Sequence, residues 1–145
     1  MADDHAPEFL ERYNGFRRAL AEAGIEFDVT LKVDAQPSEE SGRTALARML
    51  DSGRTFDAVF STSDLTALGA MRELHARGFR TPEDVALVGF DNIAASRLSE
   101  PPLTTVAQDT RRAAEVLIET LVAKIEGGER DSVLMPVELV VRASS

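Results

Sequence analysis

Residues 56–92, FDAVFSTSDLTALGAMRELHARGFRTPEDVALVGFDN, limit the possible folds more than any other stretch of the chain. Two apolar runs, Ala58–Phe60 and Val85–Val88, flank Leu65, Leu68, Met71 and Leu74, which recur at helical spacing. A helical crossover of this length cannot close a hairpin. It brings the two strands together in parallel, with right-handed connection. Ala67, Gly69 and Ala70 make part of the helix surface small, so another element can approach it closely. Each strand ends in small and polar residues: Ser61-Thr62-Ser63-Asp64 after the first, Gly89-Phe90-Asp91-Asn92 after the second. In open parallel sheets, ligands sit beyond the carboxyl ends of the strands.

The flanking sequence extends this pattern. Residues 1–6 form a polar leader, and Pro7 suits the first turn of a helix whose stripe is Phe9, Leu10, Tyr13, Phe16 and Leu20. Gly24 is its stop. Val29, Leu31 and Val33 alternate with Thr30 and Lys32, which predicts a half-exposed strand near the sheet edge. Ser38 is the expected N-cap of a helix carrying Ala45, Leu46, Met49 and Leu50, and Ser63 or Asp64 that of the next. The expected fold class is therefore α/β, a parallel βαβαβ sheet. Beyond it come a loop over 92–102, a short extended segment over 103–107, and a helix over 110–126 capped by Asp109. A last strand, Val133–Val141, has Pro136 near its start, so that end is irregular or lies at an edge.

Composition narrows the chemistry. With 145 residues and 43% hydrophobic content, the chain suits one domain with a real core. A net charge of −9 repels phosphate backbones, so no nucleic-acid contact is expected of these residues themselves. Cysteine is absent and the histidines are only His5 and His75, which argues against thiolate chemistry or a metal cluster. No apolar run reaches membrane-spanning length, and the N-terminus lacks the basic start and apolar core of a secretory signal. A cytoplasmic location is expected. No phosphate-binding glycine loop, HExxH or GxSxG occurs, so no catalytic residues and no cofactor are assigned. Instead Asp34 and Gln36, Ser61 and Ser63, and Asp91 and Asn92 each follow an expected strand at the same sheet edge. Carboxylates, amides and hydroxyls gathered there suit a polar, hydroxyl- or amine-rich ligand.

A run of motifs carries a family resemblance. These are Arg12-Tyr13-Asn14-Gly15-Phe16, Asp57-Ala58-Val59-Phe60, Asp64-Leu65-Thr66-Ala67-Leu68-Gly69-Ala70, Gly78-Phe79-Arg80-Thr81-Pro82-Glu83-Asp84-Val85, Val88-Gly89-Phe90-Asp91-Asn92, Pro102-Leu103-Thr104-Thr105-Val106 and Met135-Pro136-Val137. In this order they resemble the effector-sensing core of LacI/GalR-type bacterial regulators, a periplasmic-binding-protein-like (type I) fold. The resemblance implies a truncated sensor. Residues 1–108 and 129–145 correspond mainly to its C-terminal lobe, and the helix over 109–128 to a partial second lobe. No DNA-binding domain lies in the chain, so contact with DNA is expected only through a domain outside it. The resemblance further implies a small-molecule effector, sugar or nucleobase-like, met by Arg12, Ser63, Asp91 and Gln108. It implies a homodimer whose interface includes Ser38, Leu68, Arg72, Ser96 and Ser99. Pro37 occupies a cleft position that often bears an aromatic in the family. Two other readings follow from the same residues: a solute-binding protein of a sugar transport system, and a dimerisation remnant that binds no ligand. If the helix over 110–126 has lost its usual sheet, its apolar face must repack on this chain, enter a partner, or remain exposed.

Overall fold

The computed structural model describes residues 7–145. The polar leader and His5 lie outside the described residues. Helix α1 spans Pro7–Glu22, α2 Glu39–Asp51, α3 Asp64–Ala76, α4 Ala94–Leu98 and α5 Thr110–Ile125. Strands β1 (Ala58–Phe60), β2 (Ala86–Phe90), β3 (Thr104–Gln108) and β4 (Val137–Val140) form one sheet in the order β1-β2-β3-β4. β1–β2 and β2–β3 pair in parallel and β3–β4 antiparallel, with Val59 opposite Leu87, Val88 opposite Thr104, and Val106 opposite Leu139.

The strand expected over Val29–Val33 is not formed. Val29–Leu31 is instead a single 3-10 turn. Asp28 explains it: its carboxylate accepts the Thr30 amide at 2.8 Å, while its carbonyl accepts from Leu31 and that of Val29 accepts from Lys32. An aspartate that bonds its own downstream backbone offers the chain a turn in place of a ladder. The short segment before Asp109 is the reverse case. It becomes β3, flanked by a strand on each side. β4 is shorter than expected and begins just after Pro136. The loop over 92–102 contains α4.

Alternation along the strands separates two faces. Val59 and Leu87 point into a core shared with Leu46 and Met49 of α2 and with Ala67, Leu68, Ala70, Met71 and Leu74 of α3, closed by Val85 and Leu103. Phe60 and Phe90 point the other way, toward α1: Phe16 stacks on Phe60 with ring centroids 5.2 Å apart. The small surface of α3 has the expected use. A Cβ on Gly69 would lie 1.9 Å from the Glu39 carbonyl oxygen, and one on Gly42 would lie 2.1 Å from that of Thr66. Each helix thus admits the backbone of the other, and neither glycine can be larger.

α5 is capped as expected, Asp109 accepting the Arg112 amide at 2.8 Å, yet it has no buried residue. Leu117 is 69% exposed, Leu121 53% and Ile125 76%. Its apolar face is not repacked on this chain's sheet.

Candidate functional site

The carboxyl ends of β1 and β2 and the end of β3 meet the first turns of α1. Arg12, on α1, lays its guanidinium over the Phe90 ring, 3.9 Å from the centroid, with Phe9 at 5.2 Å. Its Nη1 donates to the Thr62 carbonyl at 2.7 Å and lies 3.3 Å from Asp91 Oδ1. Gln108, the last residue of β3, donates from Nε2 to the same carboxylate oxygen at 3.1 Å. Three of the four expected ligand-contacting residues therefore converge on one carboxylate. A guanidinium stacked on a phenyl ring keeps its edge available for hydrogen bonding while its face is covered.

The fourth residue, Ser63, is the N-cap of α3 by backbone position but makes no side-chain capping bond. It is buried beside Thr62, and its carbonyl accepts the Ser61 hydroxyl at 2.9 Å. Asp34 and Gln36 do not join this cluster through a strand. Asp34 pairs with Lys32 at 3.1 Å. Gln36 contributes backbone: its amide donates to Ser41 Oγ, and its carbonyl accepts the Ser38 amide and the Thr66 hydroxyl.

Asp91 sits in an unusual backbone. Its φ is 109° and that of Asn92 is 53°, both in the left-handed half where non-glycine residues are uncommon. Burial, with the nearby Asp64 carboxylate adding to it, raises the Asp91 carboxyl above its ordinary value, although Arg12 and Gln108 pull the other way. A half-buried carboxylate with strained backbone, aimed at a sheet edge, is the kind of group found where ligands are held.

Asp64 is the residue that pattern alone undervalued. It reads as a helix cap, and the structure makes it the anchor beneath the site. It is fully buried. Its Oδ2 accepts the Ile93 amide at 3.0 Å and the Ser96 hydroxyl at 2.5 Å, and its Oδ1 accepts the Thr105 hydroxyl at 2.6 Å. One side chain thus ties α3, the reversal after β2, α4 and β3. Gly89 makes room for it: a Cβ there would lie 2.2 Å from Asp64 Oδ1. Phe90 was also missed as the platform for Arg12. The small-aromatic-acid order Gly89-Phe90-Asp91 is the sequence signal for both.

The residues expected at a dimer face occupy different depths. Arg72 is exposed and paired with Glu39 at 2.6 Å, and Ser38 is an exposed N-cap. Leu68 lies at the outer margin of the core and lines a groove with Met71, His75, Leu98 and Ser99. Ser96 is fully buried on Asp64 and so presents no side chain at the surface. Ser99 donates to the Ser96 and Pro101 carbonyls and accepts the Leu103 amide. Among the described residues no group of acidic and histidine side chains could hold a metal, and no helix is long and apolar enough to cross a membrane.

Comparison with known proteins identifies the family and the fold. The model of the periplasmic binding protein-like domain matches residues 1–145. The transcriptional regulator CelR of Thermobifida fusca is 41% identical over 137 residues, 93% of this chain and 40% of the relative. The transcriptional repressor PurR of Mannheimia succiniciproducens is 34% identical over 136 residues, 92% of this chain and 41% of its own. A solved complex of a regulator CelR with cellobiose superposes with a TM-score of 0.95 at 38% identity, covering 99% of this chain and 45% of that one. A dimeric Lac repressor superposes at 0.85 with 29% identity, covering 95% and 51%. The chain spans about two fifths of the length of the curated relatives it matches. These relatives are regulators, which does not favour the transport reading. The chain belongs to the periplasmic binding protein-like domain family, as the C-terminal part of the sensor core of LacI-type regulators.

Proposed function

We propose that these residues form the effector-binding and dimerisation part of a cytoplasmic LacI-type transcriptional regulator, a binding module and not a catalyst. The observation that carries this reading is the convergence of Arg12 and Gln108 on the Asp91 carboxylate at the carboxyl edge of parallel strands. A ligand hydroxyl or amine donates to Asp91, while Arg12 and Gln108 donate to ligand oxygens and Ser63 meets it from the start of α3. A carbohydrate is favoured over a nucleobase, because the related CelR was solved with cellobiose. Ligand acts by binding one lobe arrangement more tightly than another and shifting their populations. DNA is reached only through a domain that these residues do not include. The groove at Leu68, Arg72 and Ser99, with Ser96 supporting it from beneath, forms the homodimer face together with Ser38 at the start of α2. The exposed face of α5 is read as an element of the second lobe.

Thermal-shift and calorimetric titration with cellobiose, other disaccharides and purines tests the reading. A saturable rise in melting temperature with a sugar, abolished in Arg12→Ala, is expected. No stabilisation by any of these compounds overturns it. The reading then favoured is a dimerisation remnant without ligand, to which the unpartnered α5 face also points.

A further inference from the structure

We propose that Arg142, in the tail that follows β4, is a positioning residue for the ligand-facing carboxylate of Asp91. For its effect on binding this rests on the function proposed above. Its effect on the Asp91 reversal stands independently of that function.

The reversal after β2 is built from two consecutive residues with positive φ, Asp91 and Asn92. Such a pair persists only where its surroundings over-determine it. The backbone amides of the reversal are all tied. Asp91 N donates to the Val106 carbonyl at 2.9 Å, Asn92 N to Thr105 Oγ1 at 3.3 Å and Ile93 N to Asp64 Oδ2 at 3.0 Å. Arg142 supplies the side-chain restraint. One of its terminal nitrogens donates to Asn92 Oδ1 at 2.5 Å and the other to the Leu103 carbonyl at 2.7 Å. A planar guanidinium holds its donors in fixed relation. The side-chain amide of the reversal is therefore set relative to the residue that leads into β3, the strand that carries Gln108.

Arg142 can do this because the tail is itself fixed. Its amide donates to Thr104 Oγ1 at 2.8 Å, and the Ala143 amide to the Pro102 carbonyl at 3.1 Å. Ser144 is fully buried. Its hydroxyl donates to the Leu87 carbonyl at 2.6 Å and accepts the Thr104 amide at 2.8 Å, while its carbonyl accepts the Leu87 amide at 2.7 Å. The tail is thereby stitched across β2 and the start of β3. Through Arg142, that anchorage reaches the residue next to Asp91. Without the guanidinium, Asn92 loses the bond that favours its left-handed backbone. The Asp91 carboxylate then leaves Arg12 and Gln108.

The test uses Arg142→Met, Arg142→Lys and Asn92→Gly, with the Arg142→Met/Asn92→Gly double variant. Asn92→Gly removes the acceptor while tolerating positive φ, so it keeps the fold if Arg142→Met does not. The first readout needs no ligand: the Asp91 titration followed by carboxyl carbon NMR, and the exchange rates of the Asn92 and Ile93 amides. Arg142→Met is expected to shift the Asp91 midpoint and to speed exchange at both amides, with Arg142→Lys in between. The second readout is cellobiose affinity. Arg142→Met is expected to weaken it about tenfold, the loss expected for one charge-assisted hydrogen bond. Because Arg142 acts through Asn92, the double variant is expected to lose no more than either single one. An unmoved Asp91 titration, or losses that add in the double variant, overturns the proposal. If wild-type protein binds no cellobiose but the Asp91 titration moves as stated, the carbohydrate reading fails and the positioning role stands.

Discussion

Gly69→Ala separates local propensity from packing with a change of sign. In a helix interior, alanine is favoured over glycine by about 1 kcal/mol. At Gly69, however, the new Cβ would lie 1.9 Å from the Glu39 carbonyl oxygen. Real Cβ contacts begin near 3.0 Å, so α2 and α3 must part by about 1.1 Å. A radial gap of about 0.5–1 Å forfeits roughly a quarter to a half of each dispersion contact across it. The contacts affected join Leu46 and Met49 to Leu68 and Met71 in the main core. Overpacking of this kind costs about 3 kcal/mol. Set against the propensity gain, the net destabilisation is about 2 kcal/mol, or a fall in melting temperature of roughly 5–8 °C for a chain of this size. Gly15→Ala is the matched control. Gly15 is also within a helix, and its added Cβ would meet nothing within 4 Å, so the same substitution should stabilise by up to about 1 kcal/mol. Urea unfolding monitored by circular dichroism measures both. If Gly69→Ala is as stable as Gly15→Ala, the two helix backbones are not in contact and the core described above is wrong.

Three further outcomes are expected. Gly89→Ala drives a Cβ to within 2.2 Å of Asp64 Oδ1 and should cost about 2–3 kcal/mol in urea unfolding, since the displaced carboxylate leaves buried partners unpaired. The raised value of Asp91 means that the folded state binds its proton more tightly than the unfolded one. Its contribution is fully present below the ordinary value of 3.8 and is lost as pH rises through the folded value. Asp91→Asn should therefore gain stability relative to wild type as pH climbs above 3.8, while losing any ligand response; a wild-type advantage that grows with pH would contradict this. Leu117→Ser with Leu121→Ser should alter the unfolding free energy by no more than about 0.5 kcal/mol per site and reduce hydrophobic-dye binding, because both side chains are over half exposed.

Much of the site was legible before any coordinates. Arg12, Asp91 and Gln108 stand on three different elements, and the carboxyl-edge rule reached only Asp91 among them. The family resemblance named the same three. Asp64 was not legible, because a cap and a buried anchor look identical in sequence. What distinguishes them is whether Ser96 and Thr105, 32 and 41 residues away, arrive at the carboxylate. Arg142 escaped for the same reason, lying 50 residues from Asn92. The Val29–Val33 strand was read from alternation, but alternation states only which faces differ. Whether a ladder forms depends on the neighbour and on competing local bonds, and Asp28 supplies those bonds.

By itself, then, the sequence determined the elements whose cause is local: helix stripes, caps and stops, the parallel crossover from β1 to β2, and the polar residues that end each strand. These follow from periodicity and backbone chemistry within a dozen residues. Only the tertiary structure decided which strands found partners, that α2 and α3 meet glycine to backbone, and that a buried aspartate and a C-terminal arginine brace the reversal at Asp91. Those outcomes depend on contacts between residues far apart in the chain, where one missing partner changes the result.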